Sequence, residues 1–243
     1  IGRQDPMQHE HEQDPNQERL DRYLAFARAH PALFDNRDAP VRILLDPKDI
    51  RGVERFMYDR QIEKGFTPAQ AAARSFVGFV VDDPWLYMLR DAVEFPDGSR
   101  RTHTRVLNNV GDGAAILPVY QGRIVLTKQY RHAVRRFVLE APRGALEPGK
   151  TPEEIAHIEL MEEIGATATS LVHLCHLLGS ANLYANGAGL YLAQLSSIGA
   201  PQLHEAIMEV VVLSVAEFEQ KLIAGEILDS FTVAAFTQAR LRG

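Results

Sequence analysis

Glu159, Glu162 and Glu163 stand at positions i, i+3 and i+4 of one short stretch. At about 3.6 residues per turn, a helix through them carries all three carboxylates on one face. Like charges so placed repel each other, and two readings follow. One is a solvated acidic face of no chemical consequence. The other is a site for a hard divalent cation: Mg²⁺ takes a few carboxylate oxygens and keeps waters for the phosphates of a substrate.

The surrounding residues predict the helix that must hold these acids. Thr151 suits the N-cap, Pro152 the first helical position, and Glu154 completes a capping box. Gly165 is expected to close the helix. Ala156, Leu160 and Ile164 are expected on the opposite face as a buried seam. A glycine-bearing loop that begins at Gly144 leads into the helix.

The pattern is β-rich from Val77 on. Extended runs 85–95 and 102–110 flank Pro96-Asp97-Gly98, a turn signal. A second hairpin joins 114–120 to 123–130 through Gln121-Gly122, and a strand at 137–141 leads into the loop. Strands are expected at 168–178, 189–195 and 207–213. A helix opened by the Ser214 and Glu217 capping box and a last helix after Asp229 follow.

The stretch from Gly144 to Ala166 resembles the Nudix box, G-x5-E-x7-R-E-U-x-E-E-x-G-U, with U bulky and apolar. Gly144, Glu159, Glu162, Glu163 and Gly165 fall on its glycine and glutamate positions. Lys150 and Ile158 depart from its first glutamate and its arginine. Lys128-Gln-Tyr-Arg131, Leu139-Glu-Ala-Pro-Arg-Gly144 and Gly225-Glu-Ile-Leu-Asp229 are similar to motifs of the ADP-ribose pyrophosphatase branch. The resemblance spans about two thirds of the chain. It implies the Nudix α/β/α sandwich with a mixed sheet, and hydrolysis of the pyrophosphate of ADP-ribose or a related nucleoside diphosphate sugar.

It also implies roles. Glu159 and Glu163, with Glu162 beside them and the Arg143 carbonyl, would hold Mg²⁺ or Mn²⁺. Glu162, Glu163 and Glu205 are the candidate catalytic acids, with His204 a lesser one beside Glu205. Arg131 is the candidate grip on phosphate oxygens through its planar fork, against the reading of a surface arginine on a strand end. Gln129 would lie near the terminal ribose. Family members of this branch commonly dimerise through their N-terminal strands and stack a partner's aromatic residue on the adenine. That implies a homodimer, with Trp85 as the stacking group and His103 a weaker choice; core packing is the competing reading for Trp85. Asn186 stands where many members carry a glutamate ligand. With Lys150 and Ile158 it favours the alternative of a catalytically weak nucleotide-binding module.

Composition bounds the partners. The 243 residues carry a net charge of -6, with 46% hydrophobic and 24% charged residues, an ordinary globular balance that argues against nucleic acid or a membrane surface. The single cysteine, Cys175, excludes an internal disulfide framework and fits a reducing cytoplasm. Residues 1–16 read as a polar, disordered tail. Residues 17–76 read as a mainly helical N-terminal appendage with no catalytic constellation, with helical stretches at 18–30, 47–64 and 67–76 and a short strand at 41–45. Residues 77–243 read as the Nudix hydrolase domain.

Overall fold

The computed structural model describes residues 15–108, 111–201 and 206–243. The expected tail therefore lies outside the described residues up to 14, while Pro15 and Asn16 already belong to helix α1. The chain forms two compact units, Ile1–Val106 and Leu107–Gly243. The division falls beyond the 76/77 boundary expected above, because the strands that follow residue 77 pair with a strand lying ahead of it.

In the first unit, helices α1 (Pro15–Ala29), α2 (Pro47–Glu63) and α3 (Pro68–Ser75) accompany a four-stranded sheet. Strand β3 (Leu86–Glu94) is its hub, pairing with β1 (Arg42–Ile43), β2 (Gly78–Asp82) and β4 (Arg100–Asn108). The turn between β3 and β4 is the one expected: Gly98 takes φ +78° and its N–H donates to the Phe95 carbonyl at 2.9 Å. Thr67 caps α3 in a capping box with Gln70.

One buried polar cluster pins α1 to this sheet. The Tyr23 hydroxyl donates to Asp91 Oδ1 at 2.6 Å, and Arg105 Nε donates to Asp91 Oδ2 at 2.7 Å. Asp91 is 3% exposed. Burial and then the adjacent Asp91 carboxylate drive the Tyr23 phenol well above its ordinary range, so it stays a neutral donor.

The second unit is built on a mixed seven-stranded sheet, ordered β11-β6-β5-β10-β9, with β7 added to β6 and β8 to β5. The strands are β5 (Gly113–Tyr120), β6 (Arg123–Arg131), β7 (Arg136–Glu140), β8 (Arg143–Gly144), β9 (Thr167–Leu178), β10 (Gly187–Ser197) and β11 (Ile207–Leu213). Only β5 and β10 run parallel among the described pairings. The hairpin between β5 and β6 turns at Gln121 and Gly122, both with φ positive, as the right-handed twist of the strands favours.

Strand β5 shows why helices cover both faces. Successive side chains alternate sides. Ala114 and Ile116 join one core cluster with Ile155, Ala156, Leu160 and Ile164 of α4 (Pro152–Ile164). Ala115 and Leu117 join the other, with Phe218 of α5 (Val215–Ile223) and Phe236 of α6 (Ser230–Leu241). The result is the expected α/β/α sandwich. No helix among the described residues is long and apolar enough to cross a membrane.

Asp91→Ala leaves the Arg105 charge and the Tyr23 hydroxyl without their shared acceptor. It is expected to destabilise the first unit by about 3 kcal/mol, read as a lowered urea midpoint, whereas Tyr23→Phe should cost only about 1 kcal/mol.

Candidate active site

Helix α4 begins and ends where its sequence predicts. Thr151 Oγ1 accepts from the Glu154 N–H at 3.3 Å, and Glu154 Oε2 accepts from the Thr151 N–H at 2.7 Å. Gly165 closes the helix in the left-handed conformation, φ +59°. Ala156, Leu160 and Ile164 are fully buried. They do not face away from the acids, however. Glu163 lies beside the seam and is itself only 2% exposed, while Glu159 and Glu162 are half-buried. The acidic stripe and the apolar seam are adjacent on the helix, so packing the seam carries Glu163 into the interior.

The other wall of the site comes from β6, β7 and β8. Glu140, the last residue of β7, is 1% exposed and sits between two guanidinium groups. Arg131 Nε donates to Glu140 Oε1 at 2.6 Å, and Arg143 Nη2 donates to Glu140 Oε2 at 3.0 Å. Arg143 Nη1 lies 3.1 Å from Asp229 Oδ1, and its guanidinium covers the Phe231 ring at 5.3 Å. Asp229 uses its other oxygen to cap α6, accepting from the Thr232 N–H at 2.8 Å and the Thr232 hydroxyl at 2.7 Å. That hydroxyl in turn accepts the Ala141 N–H at 2.8 Å. Burial pushes the Glu140 carboxyl up, against the pull of Arg131 and Arg143.

Glu159 and Glu163 meet this wall. A Cβ built on Gly144 would fall inside the Glu159 carboxylate; only a glycine lets that side chain lie against β8. The Arg143 N–H donates to Glu163. Burial first, then the Glu159 carboxylate, push the Glu163 carboxyl up to about 8, with Arg131 opposing. Among the described residues, Glu163 Oε2 and Arg131 Nη2 are buried and have no hydrogen-bond partner. An acceptor and a donor left open inside one charged cluster are what a cation and an anionic oxygen would satisfy. The residues therefore fit a hard divalent ion in part. No set of three or more His, Cys, Asp or Glu side chains is gathered into a ready-made cage among the described residues. Two carboxylates alone suit an ion that keeps several waters.

The remaining candidates separate clearly. Gln129 is buried at 5% exposure in β6, in register with Val138 and Ile207. Trp85 belongs to the first unit and is 76% exposed, which excludes the core-packing reading. His103 is exposed, its Nδ1 3.1 Å from the Thr104 carbonyl. Glu205 and His204 lie outside the described residues. Asn186 is committed to the sheet: its Oδ1 accepts the Asn108 N–H at 2.6 Å, and its side chain also bonds Asp112. Lys150 is exposed, and Ile158 packs against the apolar cluster of α4. Glu140, Asp229 and the Arg143 side chain went without a role in the sequence. The available signal was a charged residue closing an apolar run, Phe137-Val-Leu-Glu140.

The NUDIX domain model matches residues 110–240. The chain belongs to the Nudix family. It is 32% identical over 149 residues to the ADP-ribose pyrophosphatase of Mycobacterium tuberculosis, covering 60% of this chain and 72% of that one. It is 27% identical over 175 residues to the ADP-ribose pyrophosphatase of Bacillus subtilis, covering 71% and 91%. The fold matches the crystal structure of an ADP compounds hydrolase with a TM-score of 0.59 at 22% identity, covering 68% of this chain and 89% of that one. The chain is thus a Nudix pyrophosphohydrolase whose acidic helix and Arg131–Glu140 pair lie within the matched domain.

Gly144→Ala displaces the Glu159 carboxylate. It is expected to weaken Mn²⁺ binding at least about tenfold, followed by the paramagnetic resonance signal of free Mn²⁺.

Proposed function

We propose that this Nudix protein hydrolyses the pyrophosphate bond of a nucleoside diphosphate sugar, ADP-ribose or a close relative, to a nucleoside monophosphate and a sugar phosphate. The observation that carries the reading is the convergence of Glu159 and Glu163 with Arg131, whose Nη2 is buried and open while its Nε is tied to Glu140. The two ADP-ribose pyrophosphatase relatives support the choice of substrate class.

Glu159 and Glu163, with the Arg143 carbonyl, are the groups that would hold Mg²⁺ or Mn²⁺. When bound, such an ion neutralises phosphate charge and lowers the pKa of a coordinated water. Arg131 acts as the fixed grip. Because Glu140 anchors its Nε, the remaining N–H groups meet phosphate oxygens without first losing side-chain freedom. Water attacks one phosphorus, the bond from that phosphorus to the bridging oxygen breaks, and the other phosphate departs. The proton of the attacking water passes to a carboxylate, for which Glu162, Glu163 and Glu205 are the candidates. In a homodimer, Trp85, exposed on the first unit, would offer the base bound by the partner subunit a π-face for stacking.

With ADP-ribose, Mg²⁺ and a coupled phosphatase, the wild-type chain should release phosphate. Glu163→Gln should lower turnover by about 10² or more while nucleotide affinity persists. Tight binding of ADP-ribose without turnover under either Mg²⁺ or Mn²⁺ would replace the enzyme by a nucleotide-binding module.

A further inference from the structure

The first unit contains a cavity of about 540 Å³ walled by its three helices. Its largest wall is α2, which turns Arg51, Glu54, Arg55, Tyr58 and Asp59 onto it. Their spacing, i, i+3, i+4, i+7 and i+8, is a single helix face. A polar stripe of this kind ordinarily meets open solvent. Here Asn16 and Arg19 of α1 and Ala72, Ser75 and Phe76 at the end of α3 wall it in from the sides, while Arg51, Arg55 and Asp59 stay exposed at its mouth.

The charges around the cavity do not balance in the usual way. Glu54 is already engaged, accepting from Arg19 Nη2 at 2.7 Å and from the Val77 N–H at 2.7 Å. Among the described residues Arg51 donates to the neutral amide of Gln17 rather than to an acid. Arg55 is exposed on the same face. Behind them the Phe76 ring is covered by Arg19 at 5.0 Å and by Arg90 at 4.7 Å. Among the described residues Arg90 bonds the backbone carbonyls of Ala73 and Phe76 and no acid, and burial together with Arg19 and Arg74 holds it below its ordinary range. Three arginines, Arg19, Arg51 and Arg55, thus line a concavity that offers Glu54 and Asp59 as its acids, with Arg90 stacked on the Phe76 ring behind it, in a chain whose net charge is -6. Such self-repulsion lowers stability unless an anion relieves it.

We propose that this cavity is a binding site for a phosphorylated small molecule, with Arg51 and Arg55 as its principal grips. Guanidinium forks one helical turn apart match the oxygens of a phosphate better than ammonium groups do. The volume suits a sugar phosphate or a mononucleotide, and the Tyr58 hydroxyl at i+7 adds a hydrogen-bonding group for the remainder of such a ligand. A nucleotide and a sugar phosphate share the phosphate group that the site recognises. The inference stands whether or not the acidic helix of the second unit hydrolyses anything.

The test uses the full chain in EDTA, titrated with inorganic pyrophosphate in a calorimeter. One saturable equivalent is expected. Arg51→Glu with Arg55→Glu should weaken it by about a hundredfold, and Arg55→Gln alone by about tenfold. Glu159→Gln should leave it unchanged. Far-UV circular dichroism checks that the variants fold; Arg55→Gln, an exposed change, serves if the double variant does not. No saturable binding overturns the proposal. So does binding that survives the arginine changes but disappears in Arg131→Ala. Repeating the titration with AMP and with ribose 5-phosphate shows which ligand of the class binds more tightly.

Discussion

A carboxylate buried between two guanidinium groups sets the geometry of the second unit. Glu140 has given up its hydration, and it can do so only because Arg131 and Arg143 each take one of its oxygens. The cost is offset by what the arrangement holds. Glu140 closes β7, Arg131 closes β6 and Arg143 opens β8, so one carboxylate fixes three strand ends at the point where the chain turns toward α4. Asp229 extends the same network to α6 by sharing Arg143 and capping the helix. Strand ends and a helix N-terminus that would otherwise fray become one rigid support.

Against that support, α4 brings two carboxylates together. Helical periodicity alone makes Glu159 and Glu163 neighbours, and packing of the apolar seam then removes Glu163 from water. Burial and like charge reinforce each other, since both disfavour the second ionisation. The unpartnered Glu163 oxygen is the residue of that conflict. A stability-driven helix would place an apolar side chain there; a cation-binding one tolerates the penalty because the ion removes it. Gly144 belongs to the same logic, its missing side chain being the space that Glu159 occupies.

The two departures from the Nudix box fit this picture in physical terms. Ile158 packs with the apolar residues of α4, and Lys150 stands in solvent before the cap. Loss of both members of a supporting ion pair leaves no buried charge without a partner. Asn186 is likewise no stray amide, because its oxygen accepts the Asn108 N–H at the end of β4 and its side chain reaches Asp112 ahead of β5.

Much of this was legible in the sequence, and for one reason: it is local. The cap and close of α4 and the Gln121-Gly122 hairpin depend on residues within one turn of each other. Short-range chemistry decides them before the chain is folded. The placing of charges was not legible. Which glutamate of the stripe would be buried depended on how α4 meets β5, and the acids and the seam proved adjacent rather than opposed. The partnership of Ala141 with Thr232 spans 91 residues, and β3 draws in β1 from across two helices. Periodicity could name the helix face and the family motif could name its acids. Only tertiary packing could choose Glu140 as their anchor, because burial and long-range pairing are properties of the assembled chain.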